Sequence, residues 1–261
     1  MTSREDEALA RAAVTALTDQ LALTPKPGLP DRSHPTHHTL RWSAKALAPG
    51  LAAMAAAARR TGEPTPGLRA ELGAIGRCTE HSVALAGGGH RGALWTLGLL
   101  VAAAAMDPGE ATATAKRIVA HPDKGAPRRP SRGSSVSAKY GAAGARGEAR
   151  AGFPHIRRAR AVLTDAHTHS RLNALLTIMS TLQDTELLYT AGPTGLRHVQ
   201  AGARGVLEAG GTATATGSKA LTALTTDLHN RGWSPRGSAG LLAGALFLEA
   251  LPATPAPGKR R

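Results

Sequence analysis

The stretch GARGEARAGFP, Gly144 to Pro154, sets one arginine and one glutamate among glycines. Glycine lets backbone come close to a ligand, Arg146 can grip a phosphate with its planar fork, and Glu148 can accept a proton or hold a metal. Those residue types together suit chemistry on a phosphorylated substrate. RG-rich segments are also common in the solvated loops of basic proteins, so the weight of this one depends on what else points the same way.

Three further stretches do. In TPKPGLPDR the prolines Pro25, Pro27 and Pro30 forbid regular helix and fix a stiff loop from which Lys26, Asp31 and Arg32 project. GGGHRG, Gly87 to Gly92, halts one helix and restarts another, so free backbone N–H groups beside His90 and Arg91 form a phosphate cradle. A plain glycine turn between core helices is the alternative. RGWSPRGSAG repeats the design, placing Ser234, Arg236, Gly237 and Ser238 just ahead of the apolar run LLAGALFLEAL. His34, His37 and His38 lack a cysteine or carboxylate at ligand spacing, which favours a solvated or phosphate-facing turn over a metal site.

Helices must position these groups. Ser3 and Asp6 have capping-box spacing, and Leu9, Ala13, Leu17 and Leu21 recur on one face, so a first helix is predicted over 3–23. Ala-rich periodic segments predict helices over 39–60 and 67–86, with further ones over 195–209 and 219–230. Residues 171–189 read as one amphipathic helix that buries Leu172, Leu175, Leu176, Met179 and Leu182. Its polar stripe of Asn173, Thr177, Ser180 and Asp184 either lines a site or faces solvent. HPDKGAPRRPSRG reads as a mobile surface loop, GGTATATGS as a connector, and 252–261 as a flexible basic tail. Aromatics make up only 3% and no alternating run is found, so the expected fold is all-α. It is read as a single-domain multi-helix bundle over 1–251 whose glycine-rich loops form a nucleotide site.

Lys and Arg number 32 against 18 Asp and Glu, a formal charge of +14 that favours anionic partners. Compositional drift in a GC-rich genome produces the same bias. The cations lie scattered among glycine turns and aromatics are too few for base stacking, which argues against a nucleic-acid binder. The lone Cys78 cannot form an internal disulfide, and the acid-bearing N-terminus lacks the pattern of a signal peptide. The uncharged run from Gly92 to Met106 is about fifteen residues, short of the roughly 20 that cross a bilayer. A cytoplasmic protein without a membrane span is the expectation.

TPKPGLPDR, HRGALWTLGLL, YGAAGARGEARAGFP, LLTIMSTLQDTELL and SPRGSAGLLAGALFLE, in that order, resemble the motifs of triphosphoribosyl-dephospho-CoA synthase from about residue 10 to residue 250. The malonate decarboxylase branch is the more similar. The resemblance implies an all-helical enzyme in which the 2′-hydroxyl of dephospho-CoA displaces adenine from ATP. The product is the prosthetic-group precursor of an acyl carrier protein. Breaking an N-glycosidic bond passes through an oxocarbenium-like state, which calls for a carboxylate near the anomeric carbon, a base for the hydroxyl and cations for the triphosphate. Lys26, Arg32, His90, Arg91 and Arg146, with Ser234, Gly237 and Ser238, are the expected phosphate-binding residues, beside magnesium brought with ATP. Glu148, Asp184 and Asp31 are the candidate catalytic carboxylates, and the resemblance does not apportion their roles.

Departures from the family pattern fall on its polar positions. Gly88 and Gly89 stand for an asparagine-threonine pair, Thr36 to Thr39 for GAH and an acid, Asn173 and Gly240 for acids, and Tyr189 and Thr190 for a His-Arg pair. Fewer carboxylates weaken magnesium binding. The alternative function is a catalytically degraded relative that binds a nucleotide or a carrier-protein partner.

Overall fold

The computed structural model describes residues 1–127, 130–164 and 167–252. The predicted basic tail thus lies, from residue 253 onward, outside the described residues. The chain folds into α1 (Arg4–Ala22), α2 (His37–Lys45), α3 (Ala48–Thr61), α4 (Pro66–Leu85), α5 (Arg91–Met106), α6 (Ala111–Ala120) and α7 (Arg132–Tyr140). There follow α8 (Gly144–Arg150), α9 (Pro154–Ala161), α10 (Thr168–Met179), α11 (Thr185–Glu208), α12 (Ala215–Arg231) and α13 (Arg236–Glu249), with no strand among the described residues. The all-α expectation holds.

The first helix starts where its capping box predicts, with Ser3 Oγ accepting from Asp6 N–H at 3.1 Å and Asp6 Oδ2 from Ser3 N–H at 2.8 Å. Elsewhere chain breakers overrule periodicity. The helix predicted over 39–60 divides into α2 and α3 because Pro49 occupies the first turn of α3, where its missing N–H costs nothing. The helix predicted over 171–189 also divides: α10 stops at Met179, and Asp184, with a β-region backbone, is the N-cap of α11. GARGEAR is no glycine loop but the short helix α8. Within α11 the backbone departs from helix at Gly192, ahead of Pro193, where AGPTG predicts a turn.

Helix α5 is buried on nearly every side, from Ala93 and Leu94 through the run Thr96 to Ala105. Helix α13 is equally apolar and lies directly against it. Around this pair pack α1, α3, α6 and α9, while α10 carries α11, and α11 carries α12. The core is aliphatic and rich in alanine; its aromatic content is little more than Phe153 and Phe247. Small residues let the helix axes approach closely, so backbone proximity replaces large side chains as the source of packing. At Gly244 an added Cβ would lie 2.6 Å from Ile156 Cδ1 and 2.9 Å from Thr96 Cγ2, and one at Gly240 would lie 3.4 Å from Ala93 N. Residue 240 therefore faces 92–93 while 244 faces 96, so α5 and α13 run in the same direction and start at the same end of the bundle.

Among the described residues no single helix is long and apolar enough to cross a membrane. The bent pair α5 and α6, turned by 112°, passes on length and composition alone. Burial inside the bundle accounts for the hydrophobicity of α5.

Gly244→Val adds three carbons where no room exists. It is expected to lower the unfolding free energy by about 1–3 kcal/mol, as overpacked cores do, read as a shifted denaturation midpoint in urea.

Candidate functional site

The turn Trp233 to Arg236, which leads into α13, is the meeting point of the polar motifs. Gly28 of the proline loop packs against it: a Cβ there would sit 3.1 Å from Pro235 Cδ and closer still to the Trp233 carbonyl oxygen. Gly240, one turn into α13, packs on the Gly92–Ala93 start of α5. Asp184 approaches Gly237 and Ser238. Next to Asp184, Gln183 Oε1 accepts from Ala143 N–H at 3.3 Å, which brings in the start of α8. Four stretches far apart in the chain thus reach one end of the bundle.

Asp184 makes the tightest of these connections. Its Oδ1 accepts from the N–H groups of Glu186 (3.0 Å) and Leu187 (3.4 Å), while its Oδ2 accepts from Ser238 N–H at 3.1 Å. One carboxylate therefore satisfies orphan donors at the starts of both α11 and α13. It is 2% exposed, and burial pushes its pKa up against the downward pull of those N–H groups. Asp184 is placed as a clamp between two helices, with both oxygens engaged.

Lys26 is buried, and its ammonium donates to the Gln20 and Leu21 carbonyls at 2.9 and 3.3 Å, closing the C-terminal end of α1. Burial pushes its pKa down to about 7, with the Asp31 carboxylate pulling the other way. Asp31 itself accepts from Ser33 N–H (2.9 Å) and Ser33 Oγ (2.6 Å), folding the loop back on itself. Arg32 is exposed and lines a cleft of ≈ 390 Å³ with Ala22, Thr24, Ser33 and Thr168. His37 stands close to Lys26, Arg32 and Arg41; burial first, then those cations, keep its pKa low, and its Nε2 is buried without a partner.

The GGGHRG turn is more deeply built in than its composition suggests. His90 Nε2 donates to the Leu40 carbonyl at 2.8 Å and lies 3.0 Å from Ser43 Oγ, so it ties α2 to the start of α5. Burial pushes its pKa down, which favours the neutral ring. Arg91 turns outward to Glu80 at 3.1 Å. Helix α5 carries no side-chain cap, so its first N–H groups stay available. Ser238 Oγ lies 3.5 Å from Asp184 Oδ2, Ser234 Oγ is buried without a partner, and Gly237 and Arg236 are exposed.

Glu148 has a partner outside the motif that singled it out. Its Oε1 lies 2.6 Å from His155 Nδ1 and its Oε2 accepts from His155 N–H at 3.4 Å. A carboxylate can only accept, so Nδ1 carries a ring proton, and in the neutral ring Nε2 presents the lone pair. That Nε2 is buried and without a partner. The two side chains are 6% and 13% exposed, and the bend that joins α8 to α9 passes through Phe153, a buried residue at φ 54°. A non-glycine residue held in the left-handed region is strained backbone, tolerated only where the surroundings over-determine it. His155 follows the GFP tripeptide by one residue, and no periodicity marks it in the sequence.

Asp31, Glu148 and Asp184 share no hydrogen-bond partner, and each is held by its own neighbours. Among the described residues no group of three or more His, Cys, Asp or Glu is placed to hold a metal ion, the histidines 34, 37 and 38 included. Asn173, on the predicted polar stripe, accepts from Thr212 N–H at 3.0 Å and braces the α11–α12 connection instead of facing a site.

Polar turns and helix starts that meet at one end of an aliphatic bundle give this all-α fold its candidate site. A model of the ATP:dephospho-CoA triphosphoribosyl transferase family matches residues 6–257, and the chain belongs to that family. It is 43% identical to a probable 2-(5″-triphosphoribosyl)-3′-dephosphocoenzyme-A synthase of Stutzerimonas stutzeri (strain A1501), over 96% of this chain and 94% of that one. Proteins of the same description from Azotobacter vinelandii (strain DJ / ATCC BAA-1303) and Pseudomonas aeruginosa (strain UCBPP-PA14) are 43% and 44% identical, over 94% and 95% of this chain and 91% and 92% of theirs. No solved structure matches the chain.

Two outcomes are expected. Asp184→Ala leaves the starts of two helices uncapped and should cost about 2–3 kcal/mol of unfolding free energy, measured in urea at neutral pH. The folded pKa of Lys26, about 7, lies below its ordinary 10.5, so the unfolded chain binds more protons between those values. The native protein should therefore gain stability relative to Lys26→Met as pH rises from 7 to 9.5, by on the order of 2–3 kcal/mol, and lose that gain as pH falls back.

Proposed function

We propose that the protein joins ATP to 3′-dephospho-CoA with release of adenine, giving 2′-(5″-triphosphoribosyl)-3′-dephospho-CoA. The structural observation that carries this reading is the buried pair of Glu148, in the GARGEARAGFP segment, with His155 just after it, whose Nε2 has no partner, in a chain that matches the family over residues 6–257. The oxygen of the 2′-hydroxyl forms a bond to C1′ of the ATP ribose as the bond from C1′ to adenine N9 breaks. The hydroxyl proton passes to the base, and adenine leaves with the electron pair of the broken bond and takes up a proton. Glu148 holds His155 in the tautomer that accepts that proton, and its negative charge stabilises both the imidazolium and the oxocarbenium-like ribose.

Charge for the phosphates comes from the proline loop and the uncapped start of α5. Lys26 and Arg32 stand on the first, and a polyanion beside Lys26 raises its pKa and restores its charge. Serine and glycine at 234, 237 and 238 keep the rim of α13 open to backbone approach. The residues do not fit a magnesium ion caged by protein ligands, because no cluster of three ligands is placed for one among the described residues and both buried carboxylates are already bonded. Magnesium therefore enters as part of MgATP, held by phosphate oxygens and water, and no step here is routed through it. The replaced acids of the family pattern agree with that economy. The malonate decarboxylase acyl carrier protein is the proposed destination of the product, on the strength of the motif resemblance, and a cytoplasmic setting fits substrates of this kind.

Purified protein incubated with ATP and dephospho-CoA should release adenine, detected by chromatography. Glu148→Gln and His155→Gln should each slow release by about 10² to 10⁴ while circular dichroism stays native. Near-normal turnover in either variant sinks the assignment of the pair, and no release by the native chain sinks the reaction.

A further inference from the structure

Arg69 is a largely buried cation that the fold pairs incompletely. Its side chain is 8% exposed, yet the nearest opposite charge, Asp123 Oδ2, lies 3.7 Å from Nη1, beyond hydrogen-bond reach. No described residue accepts a hydrogen bond from its guanidinium. Asp123 is spent elsewhere: its Oδ2 accepts from Arg77 Nη1 at 2.8 Å and its Oδ1 from Gly125 N–H at 3.0 Å. A largely buried guanidinium held only by a long ion pair and an indole face keeps N–H donors that a ligand oxygen can complete.

Its surroundings are cationic and shaped. Arg69, Gly73 and Arg77 recur every fourth residue on one face of α4, and the missing side chain of Gly73 is what admits the Asp123 carboxylate, since a Cβ there would collide with it. The Arg69 guanidinium lies 5.3 Å from the centre of the Trp95 ring, and Trp95 Nε1 donates to the Ala145 carbonyl at 3.3 Å. The next residue is Arg146, exposed on α8 and without a hydrogen-bond partner among the described residues. Burial depresses the Arg69 pKa, Asp123 opposes that, and Arg146 and Arg77 press it further down, as expected of cations crowded together. Three arginines answer to one carboxylate.

We propose that Arg69, Arg77 and Arg146, grouped around Trp95, form a phosphate or diphosphate subsite distinct from the proline loop, receiving the phosphate chain of one of the two nucleotide substrates. This rests on the reaction proposed above, which brings a triphosphate and a diphosphate to one enzyme. Two such chains repel each other on a shared set of cations and call for separate ones. Planar guanidinium forks suit phosphate oxygens, and Arg146 stands on α8, the helix that also carries Glu148, the partner of the proposed base His155.

The test is calorimetric titration of the full chain with ATP, with dephospho-CoA and with inorganic diphosphate, each alone, in the native protein, Arg69→Gln and Arg146→Gln. Adenine release and thermal melting are measured alongside. Both variants should weaken diphosphate and one nucleotide by about tenfold or more, leave the other within about twofold, and raise KM for the affected nucleotide more than they lower kcat. The affected nucleotide identifies the source of the phosphate. Native-like binding of both nucleotides by folded variants overturns the subsite, as does equal weakening of both, which would mean one shared site. If Arg69→Gln melts early, Arg146→Gln decides, because Arg146 is exposed. Loss of diphosphate binding in the variants of a chain that releases no adenine would uphold the anion site and refute the reaction.

Discussion

The architecture of the polar end depends on one buried carboxylate. The two oxygens of Asp184 close the starts of two different helices, and backbone N–H groups, with the Ser238 hydroxyl at 3.5 Å, hold it in place. Desolvation works against its charge while four N–H groups, those of Ser238, Glu186, Leu187 and Gly237, work for it. Such a contact is directional, because each oxygen must meet donors whose positions are set by helix geometry. It therefore fixes α13 relative to α11, and α13 in turn sets the turn that meets Gly28 and the start of α5. A carboxylate that reads as a catalytic candidate is, in position, the organiser of the others.

The aliphatic core makes that organisation possible. With so few aromatics, the bundle gains density through alanine and glycine, and α5 and α13 lie side by side in the same direction. Two parallel helices bring two N-termini to the same end, and with them a concentration of unpaired N–H groups and partial positive charge. Asp184 absorbs part of that charge at α13, whereas α5 opens without a side-chain cap. Helix direction alone gives this end a partial positive charge, before any arginine is considered.

Helix content was legible because the 3.6-residue period is a local property, and so was the capping box at Ser3. Boundaries failed where a short-range signal overrode the period. Pro49 broke one predicted helix and the N-cap at Asp184 broke another, and both residues stand in plain view in the sequence. The site was harder. Composition flagged Lys26, Glu148 and Asp184, but whether an acid caps a helix, pairs with an imidazole or closes a loop depends on residues brought from elsewhere. His155 and Arg69 belong to none of the motifs that the sequence singled out. Their surroundings arise from a strained bend at Phe153 in one case and from Asp123, far along the chain, in the other.

The net charge of +14 also takes on a different meaning beside the placement of its cations. Several arginines are neutralised on the surface, Arg91 by Glu80, Arg60 by Glu71 and Arg231 by Asp227, and such exposed pairs contribute little to stability. Others have at most a distant carboxylate to answer them. Lys26 is buried against helix carbonyls, Arg69 against an indole, and Arg146 stands exposed on the helix that carries Glu148. A fold that only tolerated a basic composition would leave its cations in solvent, where hydration is free. Burying two of them without a full counter-ion has a cost, and a polyanionic ligand is the kind of partner that would offset it.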